Sequence, residues 1–219
     1  MNSVRHRLVA FGRGRDLAIG YATLVVLTAV WLSLVPARVA DRVILSSSTN
    51  VANLRLHPPF VMVVSAFVEP SIRQLWIVVP LVWALGSLQR WLGRMAVIIT
   101  MVLGHVGATL FVATVLTAGI GHGRIALSQA TATDVGVSYG LVAVLGLLSA
   151  RFVRGAIRRW YVVVFTAGFV LALVAGRSFT DLGHLVAWSL GLALALLVHR
   201  AQTAMQAEAR RDPSRSDQW

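Results

Sequence analysis

The sequence predicts an all-α membrane protein, a polytopic bundle of six spanning helices. Three observations predict it. Apolar residues make up 57% of the chain and charged residues 13%, against about 45–50% and about 25% in a soluble domain. The apolar residues fall in long runs and not in alternating stripes, and roughly 20 of them in succession cross a hydrocarbon core of about 30 Å. All 20 basic residues are Arg, and they gather at alternate ends of those runs, as the positive-inside rule requires. The net charge of +12 is therefore a topology signal and not a nucleic-acid surface. The chain has no Cys, which excludes disulfides, thiolate catalysis and Cys-ligated metals.

Taken in order, residues 1–16 form a basic tail with Arg5, Arg7, Arg13 and Arg15. The first span, 17–36, is longer than the apolar region of about 7–15 residues in a cleaved signal peptide. Arg38 also stands where a cleavage site wants a small residue, so this run reads as a retained helix. A long first external loop, 37–71, holds a polar stretch at 46–50, then His57-Pro58-Pro59, then an apolar piece at 60–68 that ends on Glu69-Pro70. That piece is too short to span and suits a helix lying in the interface. Spans at 72–89 and 95–118 lead to an external Gly-, Ser- and Thr-rich loop, 119–133. Spans at 134–150, 160–176 and 182–199 complete the membrane domain, 17–199, and a polar tail, 200–219, reads as frayed. Arg90 and Arg94, then Arg151, Arg154, Arg158 and Arg159, then Arg200, Arg210 and Arg211 fall on the side of the amino-terminal tail. Both ends are thus expected in the cytoplasm, with the protein multi-pass in the plasma membrane and the lipid bilayer as its first partner.

Ionisable residues within spans are costly and each raises a functional question. They are His105 in the third span, Asp134 opening the fourth, and Asp181 and His184 opening the sixth. The two aspartates also fit helix capping and the helix dipole, and His105 also fits a hydrogen-bonded packing histidine. The fourth span carries Gly136, Gly140 and Gly146, and in the sixth small residues recur at fours: Gly183, Ala187, Gly191 and Ala195. Such faces let two membrane helices approach to backbone contact. Ser138 and His184 then lie at comparable depth on neighbouring helices, a hydroxyl beside a base, which is the minimal activated nucleophile. The Gly136-Val137-Ser138-Tyr139-Gly140 string also matches the elbow of soluble hydrolases, but that elbow needs a strand before the Ser.

With these residues the chain resembles the rhomboid family of intramembrane serine proteases. Gly136-Val137-Ser138 with Gly146, and His184 with Ala187 and Gly191, stand in that family's order. His57-Pro58-Pro59 through Val64-Ser65-Ala66-Phe67 is similar to its first-loop segment. Leu85-Gly86 followed by Gln89-Arg90-Trp91-Leu92-Gly93 is similar to its second-helix end, with Gln89 where Glu is usual. The resemblance covers most of 57–199 and implies a rhomboid-like bundle with Ser138 as nucleophile and His184 as base. Two departures point to a divergent branch, of the actinobacterial rhomboid-like kind. Tyr139 follows the nucleophile where Gly is usual. Arg73-Gln74-Leu75-Trp76-Ile77-Val78 stands where active members carry His-x-x-x-Asn. Gln74 or His105, with Gly136 and Tyr139 beside the nucleophile, would then support the oxyanion.

Two functions follow. One is a Ser138/His184 protease that cuts single-pass membrane-anchored substrates near the external face. The other is an inactive rhomboid-like protein that binds transmembrane segments as a scaffold or quality-control factor. A transporter would want broken helices or several buried charges near the midplane. No His-Glu-x-x-His motif points to metalloproteolysis, and neither metal nor cofactor is expected.

Overall fold

The computed structural model of the chain describes residues 12, 14–152 and 155–211. Arg5, Arg7, Arg13 and Arg154, and residues 1–11 and 212–219 of the two tails, lie outside the described residues. The described residues are helical with short connections: α1 Asp16–Leu34, α2 Ala37–Ser47, α3 Val51–Leu56, α4 Pro58–Ser65, α5 Val78–Leu92, α6 Arg94–Gly121, α7 Ser138–Phe152, α8 Ala156–Gly176 and α9 Phe179–Arg211. A 3-10 turn, Ile72–Ile77, leads into α5, and another, Leu127–Thr131, follows α6.

Five of these helices are long and apolar enough to cross a membrane: Asp16–Leu34, Ile72–Leu92, Arg94–Gly121, Ala156–Gly176 and Phe179–Glu208. Their outward residues are themselves apolar: Leu24, Leu27 and Trp31 on α1, and Ile99, Val102 and Phe111 on α6. In water that surface would be a liability, and in a bilayer it meets a solvent like itself. The predicted fourth span is the shorter apolar helix, Ser138–Arg151, roughly 22 Å of rise at about 1.5 Å per residue. Its length follows from its place. α7 packs on α5, α6, α8 and α9, and nearly every residue from Tyr139 to Ser149 is buried, so it is the hub of the bundle.

Three sequence-based boundaries are corrected. The fourth helix starts at Ser138 and not at 134, because residues 134–137 are drawn out by contacts with the first loop. That loop holds three short helices, α2, α3 and α4; the apolar piece expected as a short helix over 60–68 is α4, Pro58–Ser65, which starts on the prolines and ends three residues earlier. The loop's polar residues Ser47, Ser48, Thr49 and Asn50 are buried. Finally, the sixth helix does not fray at 200; α9 runs to Arg211. Residues 200–211 hold strong helix formers and no Gly or Pro, and the first Pro comes at 213.

The core sits where α7 meets its neighbours. Ala18 and Val25 of α1, Leu81, Leu85 and Leu88 of α5, and Val144 and Leu148 of α7 belong to one buried cluster. A second cluster joins Ala108, Tyr139, Ala143, Ala187 and Trp188. Trp188 stacks on Phe165 of α8 with ring centroids 5.3 Å apart, and its indole N–H donates to Thr166 Oγ1 at 2.9 Å.

Candidate active site

Small residues decide how close α7 and α9 come. A Cβ on Gly146 would stand 2.8 Å from the Trp188 carbonyl oxygen and 2.9 Å from Gly191 Cα. A Cβ on Gly191 would run into the Ala143 carbonyl. Ala187 and Ala195 are fully buried on the same stripe. Gly140, read from the sequence as part of this face, points elsewhere. Its missing Cβ leaves room for Met101 of α6, because the helix has already turned by the time it reaches Gly146.

At the open end of this contact the two side chains meet. Ser138 is the first residue of α7 and His184 lies in the second turn of α9, and Ser138 Oγ is 2.8 Å from His184 Nε2. Both are half-buried. The separation lies within the roughly 2.6–3.2 Å over which a base can take a hydroxyl proton.

The extended lead-in to α7 is fixed by the first loop. Asp134 N donates to Ser48 Oγ at 2.7 Å, Thr49 N donates to the Asp134 carbonyl at 2.9 Å, and Gly136 N donates to the Ser65 carbonyl at 3.0 Å. Gly136 has φ +130°, a conformation open to glycine and strained for other residues. The amides of Ser138, Tyr139 and Gly140 precede the first turn bond of α7, from Leu141 N to the Val137 carbonyl. They are therefore the donors at this helix start.

Tyr139, the departure from the family pattern, has a clear packing role. Its ring fills the space left by Gly183 and meets the His184 ring edge to face, with centroids 5.3 Å apart. Its hydroxyl donates to the Asp134 carboxylate at 3.1 Å. Asp134 is thus not the cap of α7. It lies four residues before the helix and also accepts from Thr49 Oγ1 at 3.3 Å and Thr180 Oγ1 at 3.5 Å. Burial pushes its carboxyl above the usual range, and the bonds from Tyr139, Thr49 and Thr180 pull the other way. Asp134→Ala leaves the hydroxyls of Tyr139 and Thr180 to find new partners, while Thr49 Oγ1 keeps the residue's backbone carbonyl at 2.9 Å, and an expected loss of about 1–3 kcal/mol is read from thermal unfolding in detergent. Asp181, by contrast, does sit in the first turn of α9. Its amide donates to Ser178 Oγ at 3.0 Å, and the Ser178 hydroxyl donates back to its carboxylate at 2.6 Å. This is a reciprocal cap.

The two side chains expected to support an oxyanion lie apart from Ser138's hydrogen bonds. Gln74 is exposed on the 3-10 turn that packs against α1 and α5. That turn precedes α5, so the residue never enters the bundle. His105 is buried in α6, but its Nε2 is engaged with Ser65 Oγ at 3.0 Å. This pair pins α4 to the bundle, a tie the sequence does not announce beyond a Ser and a His in otherwise apolar runs.

Glu69 was also unassigned by sequence. It is buried, with one carboxylate oxygen 3.9 Å from where a Gly136 Cβ would stand. Burial pushes its carboxyl up to about 7. Since its ordinary value is lower, the folded chain binds the extra proton between the two values, and stability falls as pH rises toward 7. The unfolding midpoint is expected to be higher at pH 5 than at pH 8, and Glu69→Gln should flatten that difference.

A family model described as "Rhomboid-like protein" matches residues 16–204. The chain belongs to the rhomboid-like protein family. No curated protein and no solved structure matches it. The match runs from the start of α1 into the polar end of α9, so it takes in every element that builds the Ser138 site of this rhomboid-like chain.

Proposed function

We propose that this rhomboid-like chain is an intramembrane serine protease acting through Ser138 and His184. The observation that carries the reading is the 2.8 Å approach of Ser138 Oγ to His184 Nε2. In the reaction Ser138 Oγ bonds to the scissile carbonyl carbon while its proton passes to Nε2, which requires the His184 tautomer with its proton on Nδ1. The tetrahedral oxyanion would face the amides that open α7. Collapse breaks the C–N bond, and His184 returns the proton to the leaving amine. Water, deprotonated by the same nitrogen, then releases the acyl group from Ser138. Among the described residues no carboxylate is hydrogen-bonded to the imidazole, and the Tyr139 ring, anchored on Asp134, takes the positioning role.

The substrates are single-pass membrane proteins cut near the external face, and α7 serves as the fourth of six spans in a chain with both termini in the cytoplasm at the plasma membrane. The arginine distribution supports that topology. A fluorophosphonate probe should label the reconstituted chain at Ser138, and a folded sample that takes up no label would overturn the reading. One observation favours the alternative, a rhomboid-like scaffold that holds transmembrane segments without cutting them. Gln74 and His105 give Ser138 no side-chain donor, and one lost oxyanion donor costs about 10²–10³ in rate. A cellular phenotype kept by Ser138→Ala and lost on deletion identifies the scaffold.

A further inference from the structure

Besides Ser138 and His184, the described residues hold a second Ser–His pair. Ser65 Oγ lies 3.0 Å from His105 Nε2, a separation at which a base could take a hydroxyl proton. Burial decides against a second nucleophile. Ser65 is 0% exposed and His105 7%, so no scissile carbonyl reaches that hydroxyl, whereas Ser138 and His184 are half-buried at the open end of their helix contact. The pair acts through what it holds.

Ser65 is the last residue of α4. Beyond it the helix supplies no donors of its own, and three successive carbonyls accept from distant elements instead. The Ser65 carbonyl accepts from Gly136 N at 3.0 Å. The Ala66 carbonyl accepts from the Tyr21 hydroxyl, and the Phe67 carbonyl from Thr28 Oγ1 at 2.6 Å. Tyr21 and Thr28 stand two turns apart on α1 and so share one face. The Ser65 hydroxyl adds the tie to α6 through His105. Residues 65–67 are therefore a bracket fastened to two helices that are each long and apolar enough to span the membrane.

The bracket carries the lead-in to the nucleophile. Gly136 stands two residues before Ser138, with φ +130°, and the first turn bond of α7 runs from Leu141 N to the Val137 carbonyl. A lead-in outside the helix takes its place from whatever holds its backbone. Packing of α7 on α9 sets the depth of Ser138, and the bond from Gly136 to Ser65 sets the direction from which the chain enters it. A shift at Ser65 passes to Gly136 through backbone alone, and a misplacement of about 1 Å at a reacting atom costs about 10²-fold in rate.

We propose that Ser65 and His105 are positioning residues for the Ser138 reaction, their bond fixing the carbonyl on which Gly136 hangs and, through it, the nucleophile and the amides that open α7. The kinetic consequence rests on the protease reading; the structural one rests on the hydrogen bonds alone.

The test uses the full chain in proteoliposomes. Ser65→Ala removes the hydroxyl and leaves the carbonyl, and His105→Phe keeps a ring without its nitrogens. Each should lower kcat for a membrane-anchored reporter by about 10–10²-fold and leave KM within about twofold, with rates normalised to sites titrated by a fluorophosphonate so that unfolded protein does not count. The double variant should be no worse than either single one. His105→Gln places an amide near the position of Nε2 and should restore most of the rate. Hydrogen exchange supplies a readout free of catalysis: amides over residues 136–140 should exchange faster in Ser65→Ala and His105→Phe, with α8 unchanged. Should His105→Phe fail to accumulate, Ser65→Ala, the loss of one atom, decides alone. Parent-level kcat per titrated site, or parent-level exchange over 136–140, overturns the proposal. Faster exchange in a chain that never takes up label upholds the bracket and strikes the protease reading instead.

Discussion

Ser138→Ala and His184→Ala should each lower cleavage of a membrane-anchored reporter by about 10³-fold or more, with the double variant no worse than either single one. The non-additivity follows from the geometry. At 2.8 Å the hydroxyl and the imidazole of the proposed dyad would act as one unit. Without the base the hydroxyl stays protonated, and without the hydroxyl the base has no proton to take. Two independent contributors would give losses that multiply. The measurement is initial rate in proteoliposomes at matched protein content, with the unfolding midpoint as a check on fold. Ser138→Ala removes one atom from a half-buried position, so its midpoint should stay within about 0.5 kcal/mol of the parent. A cleavage rate equal to the parent's would exclude Ser138 as the nucleophile.

His184 needs a companion test, because its ring also packs. Tyr139 holds it edge to face, and Phe169 of α8 lies 6.3 Å away by ring centroids. Tyr139→Phe keeps the ring and removes only the hydroxyl that donates to Asp134. It should slow the reaction far less than either dyad variant if the hydroxyl acts only by fixing the ring.

The sequence carried the parts of this site that depend on local periodicity. Small residues at 183, 187, 191 and 195 are spaced by one helical turn. That spacing determines which face of α9 is bare, and the bare face brings His184 to Ser138. Arginines and apolar runs located the helices for the same reason, since each is a property of one segment. What stayed hidden depends on residues far apart in the chain. Asp134 reads as a helix cap in isolation. Its role as an acceptor between Thr49, Tyr139 and Thr180 depends on the buried polar loop and on α9 docking beside it, with Thr49 85 positions away. The Ser65–His105 pair likewise joins a loop helix to a span. Gln74 was placed by analogy with a helix that had not yet begun; the chain there is a 3-10 turn, so the residue faces out.

The close approach of α7 and α9 sets the second large expectation. Gly191→Leu should destabilise the fold by more than about 4 kcal/mol, or prevent it, beyond the roughly 1–3 kcal/mol of ordinary overpacking. The difference lies in what the new side chain meets. A Cβ at 191 runs into the Ala143 carbonyl and stands 2.9 Å from Gly146 Cα, and backbone cannot swing aside as a side chain does. α9 would have to move off α7 bodily, which unpacks Trp188 from the aromatic cluster on α8 and draws His184 from Ser138. Gly191→Ala forces a smaller displacement of the same kind, so it should cost labelling by a fluorophosphonate before it costs folding. Gly168→Leu supplies the control. It lies on α8 with nothing within 4 Å of its would-be Cβ, and it should leave both stability and labelling within error of the parent. Equal tolerance of leucine at 168 and 191 would mean that the helices need no backbone contact, and the positioning of His184 would then require another explanation.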